Sequence, residues 1–157
     1  IEEKALLQPT PAGESQCPGW MRRGFSLWKA LDRWGFEHYP LAQGPRMTIE
    51  TRAEAGFALM LGHAPYPAAS LEGRLQRQMA LHQQDLPLTD PMDVLEDITP
   101  YRLLQGRLEL QKISPSVELN AWLAAWTAWL TACKPGRIKQ WGTAEEGVIV
   151  LPNRIAS

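Results

Sequence analysis

The chain has almost no net charge to act with: sixteen Lys and Arg stand against seventeen Asp and Glu, a formal balance of -1. That excludes a global basic field drawing the protein to nucleic acid, so any such contact has to be local. Cysteine is equally scarce. Cys17 and Cys133 lie far apart, without metal-ligand spacing and without the density of a disulfide framework, which points to a reducing, cytoplasmic setting. No apolar run reaches the roughly 18 residues of a membrane span. The most apolar stretch, Leu119 to Cys133, is interrupted by Asn120, Thr127 and Thr131. No basic segment followed by an apolar one opens the chain, so neither a secretory signal nor a membrane partner is expected. His38, His63 and His82 show no HExxH or paired ligand spacing, and no GxGxxG or GxxxxGKS loop is present. There is thus no sequence case for a dinucleotide or a nucleoside triphosphate.

What is present is a globular composition, 157 residues at 45% hydrophobic and 21% charged, enough for one domain with a genuine core. Residues 1–19 are rich in Pro, Gly and small polar residues and read as a loop or arm. From Trp20 to about Trp34, Met21, Phe25, Leu27, Trp28 and Leu31 recur at three- and four-residue spacing, predicting an amphipathic helix that stops at Gly35. FEHYP reads as a short strand. PRMTIE is a better one, with Met47 and Ile49 on one face and Thr48 and Glu50 on the other.

Thr51 to Glu54 match a capping box, which would open the helix AEAGFALMLG and account for Glu54 structurally. A third helix begins near Ser70 with Leu71, Leu75, Met79 and His82 as its inner stripe. A fourth starts at Asp90 as cap with Pro91 at the first helical position, and runs to Gln105 with a bend at Thr99–Pro100. The last helix extends from Ser114–Pro115 to Lys134–Pro135–Gly136, about 19 residues and roughly 28 Å. It is apolar around nearly its whole circumference, which predicts a place between the sheet and another helix, with Trp122, Trp126 and Trp129 in the core. RIKQW and GVIVLP read as two closing strands around a turn at Glu145–Glu146–Gly147. A strand leading straight into a helix makes the class α/β.

Six blocks in order, MRRGFSLWKALDRWGF, MTIETRAEA, SLEGRLQRQ, DPMDVLEDITPYRLLQG, VELNAWLAAWTAWL and EEGVIVLP, resemble the predicted-nuclease family known as domain of unknown function 429, a branch of the ribonuclease H-like superfamily. The resemblance implies a ribonuclease H-like mixed sheet with flanking helices. Residues 20–157 would be the C-terminal part of that single domain, with its N-terminal strands belonging upstream of Ile1. It also implies a metal-dependent nuclease or phosphodiesterase, in which clustered carboxylates hold Mg²⁺ or Mn²⁺ to activate water and orient the phosphate.

Glu50 matches the family's acid at the strand end, where open α/β sheets place their ligands, and is the catalytic and metal-binding candidate. The alternative is an acid favoured only by the positive helix start. Asn120 stands where the family's last helix carries an acid, so it is a degenerate metal ligand offering one neutral carbonyl oxygen. Glu118 does not substitute, because two helical residues turn the side chain by about 200°. Arg52 and Ala53 replace the family's usual His and Pro. Arg74 and Arg77, with Arg22, Arg23, Arg102 and Arg107 elsewhere, are either a local phosphate-binding patch for nucleic acid or a solvated face. The resemblance therefore implies nuclease ancestry with an incomplete acid set and an inactive isolated chain. The alternative is a non-catalytic partner-binding or structural domain that self-associates or pairs with the missing N-terminal segment.

Overall fold

The computed structural model of the chain describes residues 18–41, 44–143 and 147–153, so the expected arm, up to residue 17, and the tip of the expected closing turn lie outside the described residues. The chain is α/β and divides into two compact units, Ile1–Thr48 and Ile49–Ser157.

In the first unit, α1 spans Gly19–Arg33. It stops because Gly35 takes a left-handed φ of 73°, which lets its amide and that of Phe36 bond back to Asp32 and Leu31. The strand expected from FEHYP narrows to β1, Glu37–His38. It pairs in parallel with β2, Met47–Thr48, in the register Glu37 to Met47 and His38 to Thr48. The His38 ring stacks on Trp28 with centroids 4.5 Å apart.

The second unit carries the helices α2 (Ala53–Leu61), α3 (Leu71–His82), α4 (Pro91–Glu96), α5 (Pro100–Leu104) and α6 (Ser116–Cys133), then β3 (Ile138–Thr143) and β4 (Gly147–Pro152). The closing strands form the expected antiparallel hairpin, registered from Ile138 opposite Pro152 to Thr143 opposite Gly147. On its other side β4 meets the end of the PRMTIE segment: Glu50 bridges Ile149 in parallel, and the Val150 amide donates to the Glu50 carbonyl at 2.8 Å.

The core is built on α6. Leu119, Leu123, Trp126 and Leu130, spaced four, three and four residues apart, are buried with Phe57 of α2 and Leu81 of α3. Fully burying each such leucine contributes roughly 1.5–3 kcal/mol. The two threonines on this face are tolerated because each returns a hydrogen bond to the turn below, Thr127 Oγ1 to the Leu123 carbonyl and Thr131 Oγ1 to that of Thr127, both at 2.8 Å. The helix is less enclosed than its composition predicts. It packs on α2, α3 and the hairpin, but Val117 and Trp129 stay exposed. Trp129 is covered instead by the Lys134 ammonium, 5.0 Å from its ring centre. Close approach of α2 to α6 requires Gly56, where a Cβ would lie 2.6 Å from Leu123 Cδ2.

Three local expectations are corrected. The capping box does not form. Arg52 is the cap of α2 and supplies no side-chain bond, Thr51 Oγ1 is buried without a partner, and Glu54 turns to Arg77, a charge-assisted pair that outweighs a single neutral amide contact. The fourth helix is two helices rather than one bent one. Pro100 disfavours helical backbone at Thr99, whose hydroxyl then caps α5 by accepting from the Arg102 amide at 3.2 Å.

The inner face of α3 is also rotated: Arg77, Gln78, Ala80 and Leu81 are buried, while Leu71, Leu75, Met79 and His82 are half-buried. Gln78 ties distant loops together. Its Nε2 donates to the Thr89 and Lys112 carbonyls, and its Oε1 accepts from the Ser114 amide at 2.8 Å. The expected starts at Ser70 and Asp90 hold, each side chain accepting a first-turn amide. Among the described residues no helix is long and apolar enough to cross a membrane.

Candidate functional site

An open groove of about 1130 Å³ runs along the second unit between the solvent face of α2 and the outer face of the hairpin. Strand alternation makes its wall: Val148, Val150 and Pro152 of β4 turn to the other side, and Ile149, half-buried, and Leu151, itself buried, line the groove with Lys139 and Trp141 of β3. Helix α2 contributes small residues, Ala55 and Ala58, together with Leu59, while Arg52, Glu54, His63, Asn120 and Asn153 supply polar atoms. The volume slightly exceeds the roughly 300–1,000 Å³ of small-molecule sites, as suits an open groove.

Asn120, predicted as a degenerate ligand, lines this groove. It is half-buried on α6, and its Oδ1 is buried with no hydrogen-bond partner. An acceptor stripped of water and left unpaired costs about 1–3 kcal/mol. Glu50 is elsewhere. Its side chain is exposed, its backbone is engaged in the bridge to Ile149, and among the described residues it is not part of the groove lining. The two sequence candidates are therefore not brought onto one wall.

The feature that sequence reasoning missed is the pair beneath the groove. Arg77 is 1% exposed, yet charged. Its Nη2 donates to both oxygens of Glu54, at 2.7 and 3.0 Å, and its Nη1 donates to the carbonyls of Tyr66 at 2.8 Å and Gly73 at 2.9 Å. The guanidinium also lies over the Phe57 ring, 5.4 Å from its centre. Four bonds from Nη1 and Nη2 make the buried ion tolerable, although its Nε is buried without a partner. Arg77 is thereby removed from the surface patch considered with Arg74, and Arg102 is occupied by Asp97 at 2.6 Å. Glu54 and Arg77 are 23 residues apart on different helices, so no periodicity announces their contact.

Among the described residues Glu54 is the one carboxylate in the lining, and Arg77 opposes its charge. Among the described residues, no group of three or more His, Cys, Asp or Glu is gathered to hold a metal. A hard divalent cation takes several oxygen ligands, usually with uncompensated carboxylates. The residues of this groove do not fit one. Among the described residues Arg52 and Lys139, both exposed on the groove, form none of the salt bridges found, which are Arg77–Glu54, His82–Asp90, Arg102–Asp97 and Lys112–Glu109. The groove is thus cationic. Lys112 is held above its ordinary range by the hydrogen bond it donates to Glu109 and then by that residue's charge; it lies in the turn before α6, outside the groove lining.

Geometry and charge define an α/β domain with a cationic, largely apolar groove. Compared with known proteins, the chain matches no family model, no curated protein and no solved structure.

Proposed function

We propose that this chain is the C-terminal part of a ribonuclease H-like domain of the domain of unknown function 429 family. On this reading its groove serves as a binding surface, while the family's metal-dependent nuclease or phosphodiesterase chemistry is incomplete. The observation that carries the reading is Asn120, a groove-lining residue with a buried, unpartnered Oδ1, at the helix position where the family resemblance puts an acid. The parallel bridge between Glu50 and Ile149, reached through the intervening helices, is a further support, since parallel pairing through a helical crossover is the mark of an α/β sheet.

The charges of the described groove residues support binding rather than catalysis. Glu54 is tied to Arg77, Glu50 lies off the lining, and Asn120 is neutral, so Mg²⁺ or Mn²⁺ would find no set of charged oxygens here. Cytoplasmic residence, and pairing with the N-terminal strands that the family resemblance implies, belong to the same reading.

The test combines titration calorimetry with Mg²⁺ and Mn²⁺ and a cleavage assay on labelled single-stranded and duplex DNA and RNA. The native chain is expected to cleave none of them above the metal-only control. Asn120→Asp is expected to raise Mn²⁺ affinity about tenfold by adding a charged oxygen. Metal-dependent cleavage by the native chain would replace this reading with an active nuclease. Unchanged Mn²⁺ affinity in the variant would remove position 120 from the ancestral site.

A further inference from the structure

We propose that the groove is a binding site for a small amphiphilic organic anion: one carboxylate or phosphate held by Arg52 and Lys139, carrying an aryl body that lies on Trp141 and the apolar floor. The inference deepens the binding reading above and rests on it. Four features of the wall lead to this ligand.

Sign comes first. Arg52 and Lys139 face the groove and form none of the salt bridges found among the described residues, whereas both Glu54 oxygens are taken by Arg77. Among the described residues a cation entering the groove meets two like charges and no uncompensated acid; an anion meets the reverse. The cap of α2 adds to this, because Arg52 provides no side-chain bond to the first-turn amides, whose partial positive charge is left on the same wall.

The second feature is the floor. Ala55, Ala58 and Leu59 of α2 face Trp141, Ile149 and Leu151 of the hairpin across the groove. A purely ionic ligand such as inorganic phosphate would leave that apolar surface wet. The third is Trp141, 44% exposed at the groove wall, whose ring offers an aryl group a stacking partner that an aliphatic side chain lacks.

The fourth feature separates a small anion from a nucleic-acid strand. With two cations in the groove and a net charge of -1 for the chain, a polyanion would be neutralised at about two phosphates and repelled elsewhere, giving weak binding at physiological salt. A single anionic head with one aryl body uses both cations and the floor together.

The experiment is calorimetric titration of the whole chain with 2-naphthoate, 1-naphthyl phosphate, neutral 2-naphthol, 2-naphthylmethylammonium and inorganic phosphate, at low and high salt. The two aryl anions are expected to bind about tenfold or more tighter than naphthol and than inorganic phosphate, with the advantage over naphthol shrinking in high salt. The better of the two aryl anions identifies the head group as carboxylate or phosphate. The double variant Arg52→Gln, Lys139→Gln is expected to lose the preference for anions while keeping naphthol binding, which also shows that it is folded. Trp141→Ala is expected to weaken all aryl probes about tenfold.

Equal binding of naphthol and naphthoate, preference for the ammonium probe, an undiminished anion preference in the double variant, or no binding of any probe would each overturn the proposal. A labelled oligonucleotide binding tighter than both aryl anions would also overturn it while leaving the binding reading in place. Metal-dependent cleavage of that oligonucleotide would overturn the binding reading itself.

Discussion

Removing Glu54 is expected to destabilise the protein far more than its exposure suggests. The Glu54 side chain is 61% exposed, and substitutions at such positions ordinarily change stability by less than about 0.5 kcal/mol. Its partner is the reason for the exception. Arg77 is 1% exposed and keeps its charge inside the protein with two bonds to Glu54 and two to backbone carbonyls. Breaking a fully buried pair costs about 3–5 kcal/mol. Water already screens the Glu54 end, which lowers that figure to about 2 kcal/mol for Glu54→Ala.

Arg77→Met removes the charge and fills the space over Phe57 with apolar atoms, but leaves the Tyr66 carbonyl without its donor; about 3 kcal/mol is expected. The double variant should cost about 3 kcal/mol as well, rather than the sum of about 5, because removing Arg77 removes the buried charge that made Glu54 matter. The coupling is therefore about 2 kcal/mol. Urea unfolding followed by circular dichroism reads these values, and in a chain of this size each kcal/mol lowers the thermal midpoint by roughly 2–4 °C. A Glu54→Ala loss under about 0.5 kcal/mol, or strict additivity in the double variant, would refute the argument that the groove acid is held by a buried cation.

Three further substitutions probe other parts of the unit. Gln78→Leu strands the Thr89 and Lys112 carbonyls and the Ser114 amide that Gln78 now satisfies, and about 3 kcal/mol of stability should be lost in urea unfolding. Asn120→Leu is expected to act in the opposite sense, raising stability by about 1 kcal/mol, since it replaces a buried acceptor that has no partner with apolar atoms of similar size; a loss of stability would mean that Asn120 is held for packing rather than for a ligand. Gly73→Ala would put a Cβ 2.0 Å from the Pro67 carbonyl oxygen and 3.0 Å from Arg77 Nη1. Because backbone has to move, a loss of about 3 kcal/mol is expected in thermal unfolding.

Much of the fold is legible in the chain because its signals are local. Ser70, Asp90–Pro91 and Gly62 mark helix ends through bonds or dihedral angles that involve only their neighbours, and the alternation in GVIVLP sets which residues of β4 turn inward. Leu119, Leu123, Trp126 and Leu130 state the buried face of α6 by spacing alone. Where the local signal competes with a distant one, it misleads. Thr51 and Glu54 have the spacing of a capping box, but Glu54 is claimed by Arg77 of α3. Trp129 shares helical spacing with Trp126, yet a rotation of about 300° over three residues takes it out to Lys134.

The sequence by itself determined an α/β domain of near-zero net charge, the capped starts of α3 and α4 and the closing hairpin, because propensity, capping and periodicity act within a few residues. Only the tertiary structure decided what the groove is. It set Asn120 in the wall and Glu50 outside it, buried Arg77 beneath Glu54, and left Arg52 and Lys139 to give the groove its sign. Those are relations between residues brought together from separate helices and strands, and charge compensation at such distances depends on packing that no local pattern encodes.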